Sequence, residues 1–196
     1  MKKPDSGNIR QRIILASGSP RRKALLGKMG LEFEVISPEA DERVQGLPEE
    51  RVETLAVRKA RAVAGQVDSG LIIAADTLVA LDNQVLGKPG DEAQAFEMLS
   101  ALSGRTHRVL TGVCLLDAAD GRCVHFVSRS EVTFRPLEAE EIRAYIATGE
   151  PMDKAGAYGI QGLGGAFVSR LQGSFENVMG LPVQELGDAL DQFGLK

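Results

Sequence analysis

The stretch Leu71-Ile72-Ile73-Ala74-Ala75-Asp76-Thr77 decides how the chain is read. Its unbroken apolar run describes a strand covered on both faces, as in a sheet sandwiched by helices. The run ends on a carboxylate. Asp76 is therefore expected at the carboxyl end of a buried strand, where open α/β sheets hold their ligands. A helix or turn cap is the other use for such a residue. No helix pattern follows Thr77, which favours the site role.

Upstream, Ile13-Ile14-Leu15 is a shorter strand that breaks at Ala16-Ser17-Gly18-Ser19-Pro20. Ser19 is placed to cap a helix with Pro20 in its first turn, and the helix runs to about Met29 and closes at Gly30. A strand that enters a helix through small residues turns backbone N–H groups outward, toward any anion. Arg21, Arg22 and Lys23 add three positive charges at the positive end of that helix. They oppose its dipole unless an anion visits, or they are simply solvated. Arg22 lies three and four residues before Leu25 and Leu26, which puts it on the inward face.

Further residues break their local pattern. Val52, Leu55, Ala56, Ala60 and Val63 recur at helical spacing within a helix expected over Glu49–Ala64. Lys59 falls within about 20° of Val52 at 100° per residue, inside that apolar stripe. It must snorkel, pair or face a polar cleft. Glu39, Asp41 and Glu42 are carboxylates of the kind hard cations take, or a solvated acidic loop. Gly87-Lys88-Pro89-Gly90 holds a lysine on a rigid turn. Asp153 to Gly162 is too rich in glycine for a helix interior, and permits either close backbone approach to a ligand or a mobile loop.

The rest of the chain supplies the frame. Residues 33–37 alternate as a strand, and Val79–Leu81 and Val85-Leu86 flank an Asp82-Asn83 hairpin turn. Asp91 caps a helix through Phe96, Leu99 and Leu102 that closes at Gly104. Strands follow at 107–116 and 122–134, then a helix from Glu138 to Ala147. A strand near 165–171 and a last helix opened by Pro182, carrying Leu186, Leu190 and Phe193, complete the pattern. Helices and strands alternate, with hairpins between. That predicts an α/β fold with a mixed sheet and surrounding helices. Neither an internal repeat nor a dividing linker is visible, so one domain is expected.

Composition narrows the function. At 196 residues the chain is about one domain long. Its net charge of −4, together with an absence of Trp and only two Tyr, argues against nucleic acid as partner. A few local cations still suffice for a phosphorylated small molecule. Cys114 and Cys123 have neither C-x-x-C spacing nor a Cys/His cluster, so zinc and a disulfide framework are unsupported. No apolar window reaches membrane-span length and no signal-peptide core is present, which predicts a soluble cytoplasmic protein behind a disordered leader of residues 1–11. The G-x-x-x-x-G-K-[ST] loop of P-loop enzymes and the G-x-S-x-G elbow are both missing. Of the 22 glycines, seven fall between Gly156 and Gly180.

Taken in order and spacing, Ala16-Ser17-Gly18-Ser19-Pro20-Arg21-Arg22, Ala75-Asp76-Thr77, Gly87-Lys88-Pro89, Leu102-Ser103-Gly104-Arg105-Thr106-His107 and Asp153 to Gly162 resemble the Maf family of nucleoside triphosphate pyrophosphatases. The resemblance runs over residues 12–194, as a single domain. It implies an inosine-triphosphatase-like, two-lobed α/β fold around a central cleft. The activity it implies is hydrolysis of a nucleoside triphosphate to the monophosphate and pyrophosphate with a divalent cation, Mg²⁺ or Mn²⁺. Asp76 matches the family's proton acceptor, and Ser17, Arg22, Lys59 and Lys88 match its phosphate-binding cleft residues. Asp76 and Glu42 are the implied metal ligands, Asp41 being the neighbouring choice. Arg21, Thr77 and Gln161 match the branch that prefers dTTP and UTP. A homodimer follows from the family likeness alone. The competing reading is a nucleotide-binding regulator of septum formation in which hydrolysis is incidental.

Overall fold

The first strand, β1 (Ile13–Ala16), is buried at every position, as its β-branched run requires. It passes into α1 (Pro20–Lys28), whose first turn is capped by Ser19 accepting from the Arg22 N–H. The chain continues through β2 (Glu34–Val35), α2 (Pro48–Ala64), β3 (Leu71–Leu81) and β4 (Gln84–Leu86). Next come α3 (Glu92–Leu102), β5 (Thr106–Asp117), β6 (Cys123–Phe134) and α4 (Ala139–Ala147). Three short 3₁₀ turns at Glu150–Asp153, Ala155–Ala157 and Leu163–Phe167 then lead to β7 (Val168–Gln172), α5 (Phe175–Met179) and α6 (Val183–Asp191). The structure is a computed structural model that describes residues 12–195, so the expected leader of residues 1–11 lies outside the described residues.

The seven strands form one mixed sheet in the order β2-β1-β3-β5-β6-β7, with β4 also pairing β3. β1 is parallel to both β2 and β3, while β3, β5, β6 and β7 are antiparallel. Because successive strand residues point to opposite faces, β1 and β3 feed two cores. Leu15, Leu71 and Ile73 pack with Leu25 and Leu26 of α1 and Leu186 and Leu190 of α6. Ile14, Ile72 and Ala74 pack on the other face with Ala56, Ala60 and Val63 of α2. A third cluster, around Leu99, Leu102, Phe134 and Ile142, gathers α3 and α4 at the far end of the sheet. Each fully buried Leu or Ile contributes about 1.5–3 kcal/mol, so these clusters hold the frame on which the site is mounted.

One glycine is needed for that frame. A Cβ on Gly112 of β5 would overlap the Val52 carbonyl, so its absence lets the α2 backbone lie directly on the sheet. The two cysteines fit the expectation of no disulfide framework. They are free thiols, but the β5–β6 pairing sets their Sγ atoms 3.5 Å apart.

Four differences from expectation follow from physics that a linear pattern does not carry. β3 does not end at Ala75: it runs on through Asp76 to Leu81 because β5 hydrogen-bonds it throughout. The strand expected near 165–171 begins at Val168, after a 3₁₀ turn. α6 stops at Asp191, so Phe193 lies beyond it. α5 is too short to show a period, although Ser174 caps it and Gly180 closes it at φ 111°. No helix among the described residues is long and apolar enough to cross a membrane.

Candidate active site

β1 is in register with β3 only as far as Ala16 opposite Ala74. β4 takes up pairing with β3 again at Val79. Between them β3 has no neighbour on that edge, and Asp76 and Thr77 lie in the break. The rule that ligands gather at carboxyl strand ends therefore applies, but to β1. Asp76 reaches the site because its own strand outruns the one beside it.

The break opens into a cleft of ≈ 1180 Å³. Every residue expected at the site lines it: Ser17, Arg21, Arg22, Lys59, Asp76 and Thr77, with Glu42, Lys88 and Gln161. Strand alternation sends Asp76 and Thr77 to opposite faces. Asp76 turns toward α2, where Lys59 Nζ meets its Oδ1 at 2.6 Å; both side chains are only 12% exposed. The same ammonium reaches Glu42 Oε1 at 2.8 Å and, through that bond, draws the Glu42 carboxyl below its ordinary pKa. Lys59 breaks the apolar stripe because it pairs, and it pairs with two carboxylates.

Thr77 turns the other way, toward α1 and α5. Arg22 donates from Nε to the Gly180 carbonyl at 2.7 Å and from Nη2 to Thr77 Oγ1 at 3.0 Å. Its Nη1 donates to Ser17 Oγ at 3.4 Å, and Ser17 Oγ also accepts from the Ser19 N–H. Burial pulls the Arg22 pKa down and the Asp76 carboxylate opposes that pull; a guanidinium keeps its charge in any case. Thr111 Oγ1 donates to the Asn177 carbonyl, which can only accept, so the 3.0 Å contact between the two threonines carries the Thr77 proton. Thr77 therefore accepts from Arg22, donates to Thr111, and keeps one lone pair for a ligand.

The acidic loop is sorted by the same geometry. Asp41 is tied to Arg43 at 2.9 Å, and Glu42 is the member that enters the cleft. Among the described residues no group of three or more His, Cys, Asp or Glu could hold a metal unaided. Asp76 and Glu42, joined through one lysine, do suit a hard cation that keeps water and substrate oxygens as its other ligands.

The opposite wall is the glycine-rich segment. It carries Gln161, exposed at its tip, and Tyr158, whose buried hydroxyl lies 2.8 Å from His107 Nε2. His107 and Tyr158 stack edge-to-face with Phe134, which in turn meets Phe167. Two cleft residues, Arg51 and Glu150, carried no signal in the sequence. Arg51 looks like an ordinary charge in a first helical turn, yet its Nε is buried without a partner among the described residues. Glu150 looks like a loop charge, yet it lines the cleft, as does Lys154 within the marked Asp153 to Gly162 stretch.

The Maf-like protein family model matches residues 12–193. The chain belongs to the Maf family. This Maf chain is 50% identical to the dTTP/UTP pyrophosphatase of Carboxydothermus hydrogenoformans over 93% of its length and 99% of that protein's. It is 48% identical to the dTTP/UTP pyrophosphatase of Pelotomaculum thermopropionicum, covering 93% and 96% of the two chains. The dTTP/UTP pyrophosphatase of Bacillus cereus strain ATCC 10987 is also 48% identical, with coverage of 96% and 93%. Among solved structures it is similar to a nucleoside-triphosphatase/dITP/XTP pyrophosphatase of Mycobacterium abscessus, at a TM-score of 0.48 and 19% identity over 93% and 95% of the chains.

Proposed function

We propose that this Maf protein is a nucleoside triphosphate pyrophosphatase that splits dTTP and UTP into the monophosphate and pyrophosphate. The observation that carries this reading is the pairing of Asp76 with Lys59 in the sheet break, beside Arg22 at the N-terminus of α1. A base, a shared cation and an anion-binding helix end face one cleft. Relatives of near 50% identity bearing the name dTTP/UTP pyrophosphatase support the substrate class.

In this mechanism Asp76 orients a water toward the α-phosphorus and takes its proton. The new P–O bond forms as the bond to the α–β bridging oxygen breaks, and pyrophosphate leaves. Arg22, Lys59, Lys88 and the backbone around Ser17 hold the phosphate oxygens against developing charge. Positioning of this kind supplies much of the acceleration in phosphoryl transfer. Asp76 and Glu42 would hold Mg²⁺ or Mn²⁺, which when bound supplies Lewis-acid neutralisation of the triphosphate. Arg21 and Gln161 meet the base, with the spare lone pair of Thr77 as a third contact. We assign the activity to a single domain of residues 12–194 working in the cytoplasm.

Pyrophosphate release measured across the canonical triphosphates, with and without Mg²⁺ or Mn²⁺, tests the reading. Metal-dependent turnover of dTTP and UTP above ATP and GTP is the expected result. Saturable binding without turnover would overturn it in favour of a nucleotide sensor.

A further inference from the structure

The segment from Gly159 to Gly164 presents Gln161 to the cleft, yet little apolar burial holds its tip. Leu163 is 60% exposed and Gln161 is exposed. Besides local turn bonds and Ile160 packed against the core, one carboxylate gathers the segment. Glu150 Oε2 accepts from the Leu163 N–H at 3.0 Å, and Oε1 accepts from the Gly164 N–H at 3.2 Å and from the Tyr145 hydroxyl at 2.9 Å. The Tyr145 oxygen then accepts from the Gly159 N–H at 3.2 Å. Backbone donors on both sides of Gln161 thus converge on a single anion and its phenol, as backbone nests do around bound anions. The glycines make room for it. A Cβ on Gly162 would overlap the Glu150 carboxylate, and one on Gly164 would come within 2.7 Å of the Tyr145 oxygen. Lys154 Nζ secures the foot by donating to the Glu150 carbonyl and to Asp153, each at 2.6 Å.

We infer that Glu150 is a positioning residue for base selection, fixing the backbone on either side of Gln161 so that its amide meets the base in one orientation. The inference rests on the pyrophosphatase reading and adds to it the device that sets its specificity. Although Glu150 lines the cleft, both of its oxygens are engaged by these internal donors. Charge-assisted bonds of this kind are about twice as strong as neutral ones, so a neutral amide at 150 cannot replace them, and its NH₂ would face a donor.

The test compares wild type, Glu150→Gln, Tyr145→Phe and Gln161→Ala by kcat/KM on dTTP, UTP, CTP and GTP, with amide exchange followed at Leu163 and Gly164. Glu150→Gln is expected to accelerate exchange and to lower the preference for dTTP and UTP roughly tenfold, about one charged hydrogen bond's worth, with kcat on dTTP within about threefold. The loss is expected to vanish in the Gln161→Ala background, since both changes act through the same amide. Tyr145→Phe should shift the preference in the same direction by less, and serves if Glu150→Gln fails to fold. A preference unchanged in the folded variants, whether exchange speeds up or not, overturns the inference; so does a uniform fall in kcat/KM on all four triphosphates. Absence of pyrophosphate release by the wild type would instead bring down the underlying reading, and is seen before any variant is made.

Discussion

The two walls of the cleft are built by opposite means. On one, Asp76, Thr77, Arg22 and Lys59 stand on regular strands and helices, and their side chains lock one another. On the other, irregular backbone rich in glycine folds around Glu150, and the chain itself is the shaped object. The difference fits the two tasks. A polyphosphate needs charges held at fixed positions, which rigid elements supply. A base needs a close-fitting edge of donors and acceptors, which exposed backbone and an amide can supply.

The largest effect that would test this contrast is Asp76→Asn. It should lower kcat by about 10²- to 10⁴-fold, the usual contribution of a general base, while nucleotide binding measured by calorimetry is largely kept. Activity near wild type would remove Asp76 from the chemistry and leave the ionic wall a binding device only.

Next comes the aromatic support under the glycine wall. Burial pushes the His107 pKa down to about 4 from its ordinary 6.5. The unfolded chain therefore binds a proton between these values that the folded chain does not, and stability falls as pH drops through that window. The loss is about 3 kcal/mol at completion, and urea midpoints from pH 7 to pH 4 should record it. His107→Gln should flatten the profile relative to wild type; an equally steep variant would mean that other groups carry the acid sensitivity.

The smallest effect is expected from Thr77→Val, which keeps the shape and removes the hydroxyl that receives Arg22. A lost bond to a charged group of about 1.5 kcal/mol corresponds to about tenfold in kcat/KM, and the fall should be larger on dTTP and UTP, whose base meets the same hydroxyl. An equal fall on every triphosphate would take Thr77 away from the base and leave it to the phosphate wall alone. No change on any substrate would break the chain from Arg22 to Asn177.

The ionic wall was the legible one. Lys59 violated an apolar stripe, Arg21 and Arg22 opposed a helix dipole, and Asp76 interrupted a buried run. Each is a local breach of a short-range rule, and local breaches are visible in a linear pattern. The glycine wall showed as composition and through the family resemblance, which marked Gln161 but not the carboxylate that holds it. Glu150 acts across ten or more residues on backbone groups that every residue possesses, so its type and spacing announced nothing. α5 was equally hidden, although its end supplies the Gly180 carbonyl that orients Arg22.

The sequence by itself determined the α/β class, the Ser19 cap, the α2 stripe and the chemical kinds of group at the site, because these follow from period, propensity and charge within a few residues. Only the tertiary structure decided that β3 runs past β1 and leaves Asp76 in a gap, that Glu42 and not Asp41 shares Lys59, and that Thr77 faces Arg22. Strand length, ion-pair choice and hydrogen-bond direction depend on which distant segments come to lie side by side, and the close packing of the core settles that.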